Sequence, residues 1–310
     1  MLPAMADPSS ISVQHPPRER WGSVINLALA HRPPEERMRL TDALLQQPPG
    51  APPDAGFDGL REARSDGELV GAALAVLQPG QAALVYQPRL LPAAPEAARG
   101  LLNAALDRFL VDNRVHLAQE VLAIDALEDA ARSRSAGYHI EIELHYLAAD
   151  RQVFPTSRPS SELTFDSYTD AVHDRLAKVL ELTYLDTLDC PELNGVRSTT
   201  DTIAGYRATG EFRPQAWSLV QHQGEDIGCV LVGHHHPWMA ELIYMGLIPQ
   251  ARRRGWGKVL TNWALWTAQQ LNCAVLSVAV DARNTPARRA YEQAQFAPFD
   301  QRRVMLRTTF

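Results

Sequence analysis

One order of elements is written twice in this chain, and a duplicated order restricts the fold more than any single motif does. Over residues 67–91 the text "GELVGAALAVLQPGQAALVYQPRLL" predicts a hairpin, two apolar and partly alternating runs meeting at Gln78-Pro79-Gly80-Gln81, a turn signal. An alanine- and leucine-rich amphipathic helix follows over 95–113, then a buried strand over 116–125, a short helix over 126–136 and a strand over 138–147. The second half repeats the series. "EDIGCVLVGHHHPWMAELIYMGLI" (225–248) is a hairpin, "GWGKVLTNWALWTAQQLN" a helix, "CAVLSVAVD" a buried strand, "NTPARRAYEQAQ" a short helix and "FDQRRVMLRTT" a strand. Helical text precedes each hairpin: residues 19–47, broken at "HRPP" (31–34), in the first half, and 167–187 with 199–209 in the second. The repeat sets a boundary in "ADRQVFPTSRPSS", giving units of 1–155 and 156–310.

Bulk properties narrow the class. With 310 residues and 45% hydrophobic content the chain exceeds one typical domain and buries a sizeable core. A net charge of −6 and a pI near 5.9 disfavour a surface shaped throughout for nucleic acid, so any basic feature must act locally. Three widely spaced cysteines, Cys190, Cys229 and Cys273, fit reduced thiols in a cytoplasm and no disulfide framework or zinc site. The opening "MLPAMADPSSISVQHPPRER" reads as a loose tail, "QQPPGAPPDAG" (46–56) as a loop, and no window is apolar for the length of a membrane span.

The chemistry-bearing stretch is "IPQARRRGWGKVL" (248–260), where a strand runs through Pro249 into a helix. The first turn of a helix carries N–H groups without internal partners, and the helix dipole adds partial positive charge there. Gly255 and Gly257 would let a ligand approach that backbone, and Arg252, Arg253, Arg254 and Lys258 would surround the mouth with charge. Such an arrangement suits a diphosphate. An exposed basic turn is the plain alternative, against which the strand–loop–helix placement speaks. Neither GxxxxGK[ST] nor GxGxxG with a downstream acid is present.

Arg252-x-x-Gly255-x-Gly257 after a strand and a proline resembles the acetyl-CoA loop of the GNAT acetyltransferase superfamily. "VDARNTPARRAYEQAQF" resembles its second signature, with Asn284, Ala287, Tyr291 and Phe296 in the matching places. The duplicated architecture with an active C-terminal copy is similar to that of mycothiol synthase-type members. The resemblance implies an α+β fold of two tandem GNAT-like domains, each a mixed, mostly antiparallel sheet flanked by helices and opened by a splay between two parallel strands. It implies acetyl-CoA as donor, an amine as acceptor, and no metal, nucleic acid or membrane partner. A monomer is compatible with it. Gly246, Leu247 and Ile248 would hold the pantetheine arm, residues Arg252 to Lys258, Trp256 included, would wrap the pyrophosphate, and Asn284 and Ala287 would meet the cofactor at the splay. Tyr291 would protonate the leaving thiolate. Glu241 is either the proton acceptor for the amine or a solvent-facing strand residue beside a turn.

The first half lacks these features. Pro95, Glu96, Ala97, Ala98 and Arg99 run through the place of the loop, and Ser133 stands opposite Tyr291. A degenerate copy with a structural or substrate-clasping role is the expectation. Three adjacent histidines, 234–236, cannot converge on one ion and are expected on a hairpin turn. Asp186, Asp189 and Glu192 lie in the loop that helps form the acceptor site in the resembled family, where they would attract a cationic amine or would simply be solvated. Cys190 and Cys229 have no local basic partner and are not expected to be nucleophiles. Two rivals to an N-acetyltransferase are a non-catalytic acyl-CoA sensor and a nucleic-acid binder using the arginine run, the second disfavoured by net acidity.

Overall fold

A computed structural model describes residues 11–45 and 56–308; residues 1–10, 46–55, where a loop is expected, and 309–310 lie outside it. The chain forms two compact units. One takes residues up to Val121, Ala126–Ile140 and those from Met305 on; the other takes Leu122–Asp125 and Glu141–Val304.

In the first unit the strands β1 (Ile11–Gln14), β2 (Gly59–Ser65), β3 (Glu68–Gln78), β4 (Ala82–Leu90) and β5 (Leu117–Ala123) lie in that order. All neighbours are antiparallel except β4 and β5, which pair in parallel over Ala82–Leu84 and Leu117–Gln119. Helices α1 (Trp21–Ala28), α2 (Pro34–Leu45), α3 (Ala97–Asp112) and α4 (Leu127–Ser135) accompany them. Pro34 opens α2 where a missing N–H costs nothing, and Glu35 and Glu36 in its first turn suit the dipole. Helix α3 buries Ala98, Leu102, Leu106, Phe109 and Leu110, a stripe at helical spacing. "ISVQ", inside the stretch expected to be a loose tail, is an edge strand instead. It pairs with β2, and Gln14 Nε2 donates to Glu62 Oε1 at 2.9 Å.

The second unit contains β6 (Ile140–Asp150), β7 (Leu163–Ser167), α5 (His173–Tyr184), α6 (Thr199–Arg207), β8 (Trp217–His222), β9 (Glu225–His236), β10 (Met239–Leu247), α7 (Trp256–Gln270), β11 (Val275–Asp281), α8 (Thr285–Gln293) and β12 (Ala297–Arg307). Its strand order is β12-β6-β11-β10-β9-β8-β7. β9 alternates by face: Val230 and Val232 join the core under α7, while Cys229 and Leu231 join a second core with Leu176, Val179 and Leu180 of α5. Both faces of the strand are covered, which is why its sequence reads as one apolar run. Each of these fully buried aliphatic side chains is worth roughly 1.5–3 kcal/mol.

β10 and β11 pair in parallel only over Met239–Glu241 and Val275–Ser277, then part. β6 holds β11 antiparallel along its whole length, Val275–Asp281 against Asp150–Leu144. The opening is therefore one-sided, with β11 fixed and a gap toward β10. β6 belongs by sequence to the first repeat, yet it pairs in the second unit, so sequence order and compact units part company there. Among the described residues no helix is long and apolar enough to cross a membrane.

Candidate active site

The gap between β10 and β11 opens into a cleft of about 740 Å³. Leu242, Tyr244 and Gly246 of β10 form one wall, Val278 and Ala279 of β11 the other, and Asn284, Ala287 and Tyr291 the α8 side. β10 carries a register shift between Leu242 and Tyr244, which interrupts its pairing with β9 beside the cleft. Past Glu241 the backbone of β10 has no β11 partner, so its cleft-side polar groups are available to an extended ligand.

At the open end α7 begins. Gly255 sits at φ +78, a left-handed position suited to glycine, and a Cβ at either Gly255 or Gly257 would meet nothing within 4 Å. Nothing therefore crowds the first turn of the helix at these two positions, and Arg253 and Lys258 line the same cleft. The other arginines are differently engaged. Arg252 donates to three carbonyls: Nε to Leu247 at 3.0 Å, Nη1 to Asp186 at 2.9 Å and Nη2 to Thr183 at 2.9 Å. Its fork ties the loop to the C-terminal end of α5, using a geometry that lysine lacks. Arg254 lies over the Trp256 ring at 5.1 Å, and Trp256 is buried with Nε1 donating to Glu162 at 2.8 Å. Arg254, Trp256 and Ile248 do not line the cleft, whereas Gly246, Leu247, Arg252, Arg253, Gly255, Gly257, Lys258, Asn284 and Ala287 do.

Tyr291 is 5% exposed and packs against Phe296. Burial, then the neighbouring Asp189 carboxylate, pushes its phenol well above the usual tyrosine range, so it carries its proton at neutral pH. Asn284 caps α8, its Oδ1 accepting from Ala287 N at 3.3 Å, and its Nδ2 donates to Asp189 at 3.4 Å. Asp189 also accepts from Asp281 N at 3.2 Å, and Asp281, fully buried, accepts from Cys190 N at 3.2 Å. Burial alone would raise the Asp281 carboxyl; the Arg283 guanidinium outweighs it and holds that carboxyl below its ordinary range. Arg283 also forks onto Glu192 at 2.6 and 2.9 Å. The acidic loop is thereby pinned to the end of β11. Asp189 faces the cleft, while Glu192 is taken up by Arg283.

Glu241 stands at the last paired register of β10, opposite Ser277, and is not part of the cleft lining. Its Oε2 lies 2.6 Å from His235 Nε2. The histidines end strand β9, and Pro237 and Trp238 make the turn, so the expectation that they form the turn itself is corrected. Burial pushes the Cys229 thiol up to about 12 and Cys190 higher, leaving no thiolate nucleophile at either. Sequence reading missed Arg289. It lines the cleft on α8 with Pro286 and Gln293, and that i, i+3, i+7 spacing was the available signal.

The first unit's splay is arranged otherwise. Glu120 of β5, 1% exposed, accepts from the Ser133 hydroxyl of α4 and from Gln87 N at 3.4 Å. Burial raises its carboxyl to about 7. At the start of α3, Arg99 pairs with Glu96 and donates to the Pro88 carbonyl at 2.8 Å.

Residues 182–296 match the model of the Acetyltransferase (GNAT) family. None of the curated proteins compared matches the chain. In structure it is similar to a GCN5-related N-acetyltransferase from Sphaerobacter thermophilus, at 13% identity and TM-score 0.61 over 96% of this chain and 95% of that one. It is similar also to a tandem GNAT protein from the clavulanic acid biosynthesis pathway, at 14% identity and TM-score 0.51 over 96% and 98%. A glucosamine N-acetyltransferase region of a fungal multi-domain β-N-acetylglucosaminidase gives 14% identity and TM-score 0.57 over 96% of this chain and 38% of that one. At such identities the likeness is one of fold.

Proposed function

We propose that the chain is a tandem-domain protein of the GNAT superfamily and an acetyl-CoA-dependent N-acetyltransferase acting on the primary amine of a small acceptor by direct transfer. The observation that carries this reading is the one-sided opening between β10 and β11, whose mouth is the glycine-bared start of α7. The residues fit the donor. Unpartnered helix N–H groups with Arg253 and Lys258 suit a diphosphate, and the unpaired edge of β10 suits the amides of a pantetheine arm. Arg252 acts in this reading by shaping the loop.

In the reaction the amine nitrogen attacks the thioester carbonyl, a C–N bond forms and the C–S bond breaks. The departing sulfur takes the phenolic proton of Tyr291, which burial keeps in place until then, and the phenolate recovers the proton that the nitrogen sheds as the amide forms. The ammonium proton goes to Glu241, directly or through water, since an alkylammonium cannot attack until it is deprotonated. The second repeat, 156–310, carries the donor site, and the first, 1–155, is a degenerate copy whose splay is closed by Glu120 and Ser133.

Calorimetry with acetyl-CoA, followed by a free-thiol assay across small primary amines, tests the proposal. Binding with thiol release is the expected result. Absence of binding overturns it, and binding without release from any amine would make the protein an acyl-CoA sensor.

A further inference from the structure

His234 and His235, at the end of β9, are directed to different carboxylates. β9 and β10 are in register at Met239 with His236 and again at Ala240 with His234, so His235 is the extra residue of a β-bulge. A bulge takes a side chain out of the strand's alternation and re-aims it. Here it brings His235 Nε2 to 2.6 Å from Glu241 Oε2, while His234 Nδ1 lies 3.2 Å from Glu211 Oε2. Gly210 makes room for this. At φ +71, a Cβ there would stand 2.8 Å from the His234 carbonyl oxygen and 3.3 Å from His235 Nδ1. The side chains of His235 and Glu241 are 24% and 30% exposed, so the imidazole reaches water without passing through the cleft.

Resting on the acetyl-transfer reading above, we propose that His235 is the outlet for the acceptor's proton, a positioning and relay residue acting through Glu241. Glu241 stands where β10 and β11 are last paired, at the closed end of the splay opposite the α7 mouth. One carboxylate oxygen takes the proton that the attacking amine gives up. The carboxylic acid so formed turns its proton to His235 Nε2, and the imidazolium releases its Nδ1 proton to water. Glu241 is then ionised again and His235 neutral with its proton on Nε2; exchange with water, which returns a proton to Nδ1 and frees Nε2, restores the tautomer that accepts at the next turnover.

The surroundings allow this traffic. Tyr146 of β6 lies within electrostatic reach of Glu241, as it does of Asp300 and Arg302 of β12. Burial, and after it Glu241, raises that phenol, so Tyr146 keeps its proton and does not compete. On the far side of the imidazole stand Gly210 and the pair of His234 with Glu211, which Arg213 also binds at 2.7 Å. His235 is thus the basic group bonded to Glu241.

The test uses the full-length protein, wild type and the variants His235→Gln and His235→Ala, with acetyl-CoA and a panel of small primary alkylamines. Hydroxylamine, neutral near pH 7, serves as an acceptor with no ammonium proton to lose before attack. Both variants should bind acetyl-CoA within about twofold of wild type, because the bulge lies at the end of β10 away from the coenzyme mouth. Their kcat with alkylamines should fall about 10- to 100-fold with acceptor KM little changed, at or below the lower end of a full proton-transfer contribution because His235 acts through Glu241. The loss should be several-fold smaller with hydroxylamine, and imidazole in the buffer should restore His235→Ala, which a merely structural role would not allow. Wild-type kcat in His235→Gln, an equal loss with both kinds of acceptor, or a loss that imidazole cannot rescue overturns the relay while leaving the transfer reading intact. Wild-type protein that binds no acetyl-CoA, or releases no thiol, overturns both.

Discussion

The splays of the two units start from the same geometry and end in opposite chemistry. In each, two parallel strands pair for three residues and then separate: β4 from β5 after Leu84, β10 from β11 after Glu241. In the second unit the gap is lined by Leu242, Val278 and Tyr291 and leads to a helix start stripped of side chains. In the first, Glu120 reaches Ser133 and the Gln87 N–H, and Arg99 folds onto Glu96 and Pro88. In the first unit a buried carboxylate bridges the separated strands and α4, whereas the second leaves backbone groups for a ligand. Opening a sheet does not by itself make a binding site; the opening must also be left chemically unfinished.

Four changes break or sharpen this contrast. Gly257→Glu places a carboxylate in the α7 mouth without a clash. It should weaken acetyl-CoA binding by about a thousandfold or more, since a charge about 4 Å away costs ~4 kcal/mol at an effective dielectric of 20. Calorimetry reads it, and an unchanged melting temperature shows that the helix survives. Tyr291→Phe keeps the ring and removes the proton, so kcat should drop about 10²- to 10³-fold with donor affinity retained, read by the thiol assay.

Glu120→Gln acts on the first unit. Because the folded carboxyl titrates at about 7, above its unfolded value, the folded chain holds the extra proton between these limits. Stability is fully present below the unfolded value, falls as pH rises toward 7 and is flat beyond. The glutamine removes that fall, so the variant's advantage over wild type should grow between pH 5 and pH 8 by on the order of 2–3 kcal/mol in denaturant titrations. A constant difference would mean that Glu120 does not bind a proton on folding. Arg252→Lys has the smallest effect. It gives up the three-carbonyl fork for about 1–2 kcal/mol of stability, with donor affinity falling only as far as the loop loosens.

Much of this was readable in the chain. Period-2 and period-3.6 patterning located the hairpins and helices, and the loop glycines read correctly as open positions because glycine next to a helix start has a local cause. The exceptions depend on partners far away in sequence. Arg252 reads as a charge like Arg253, and its fate is set by carbonyls 66 and 69 residues upstream. His235 reads as one of three equal histidines; only the register of β10 shows which is displaced. Edge strand β1 is four residues of weak alternation whose pairing with β2 crosses the proline-rich loop. Nothing in the local sequence of Glu120 or Ser133 marks them as partners; their bond forms only where α4 meets β5.

The pairing of β6 with β11 bears on how such a chain can be divided. A gene cut at the repeat boundary near residue 155 would separate β11 from the strand bonded along its whole length. The fragment would expose the edge of β11, an apolar and aggregation-prone row of unpaired amides. A fragment beginning at Glu141 keeps that edge covered. A division that keeps β11 paired must therefore fall before β6, not at the point where the sequence repeats.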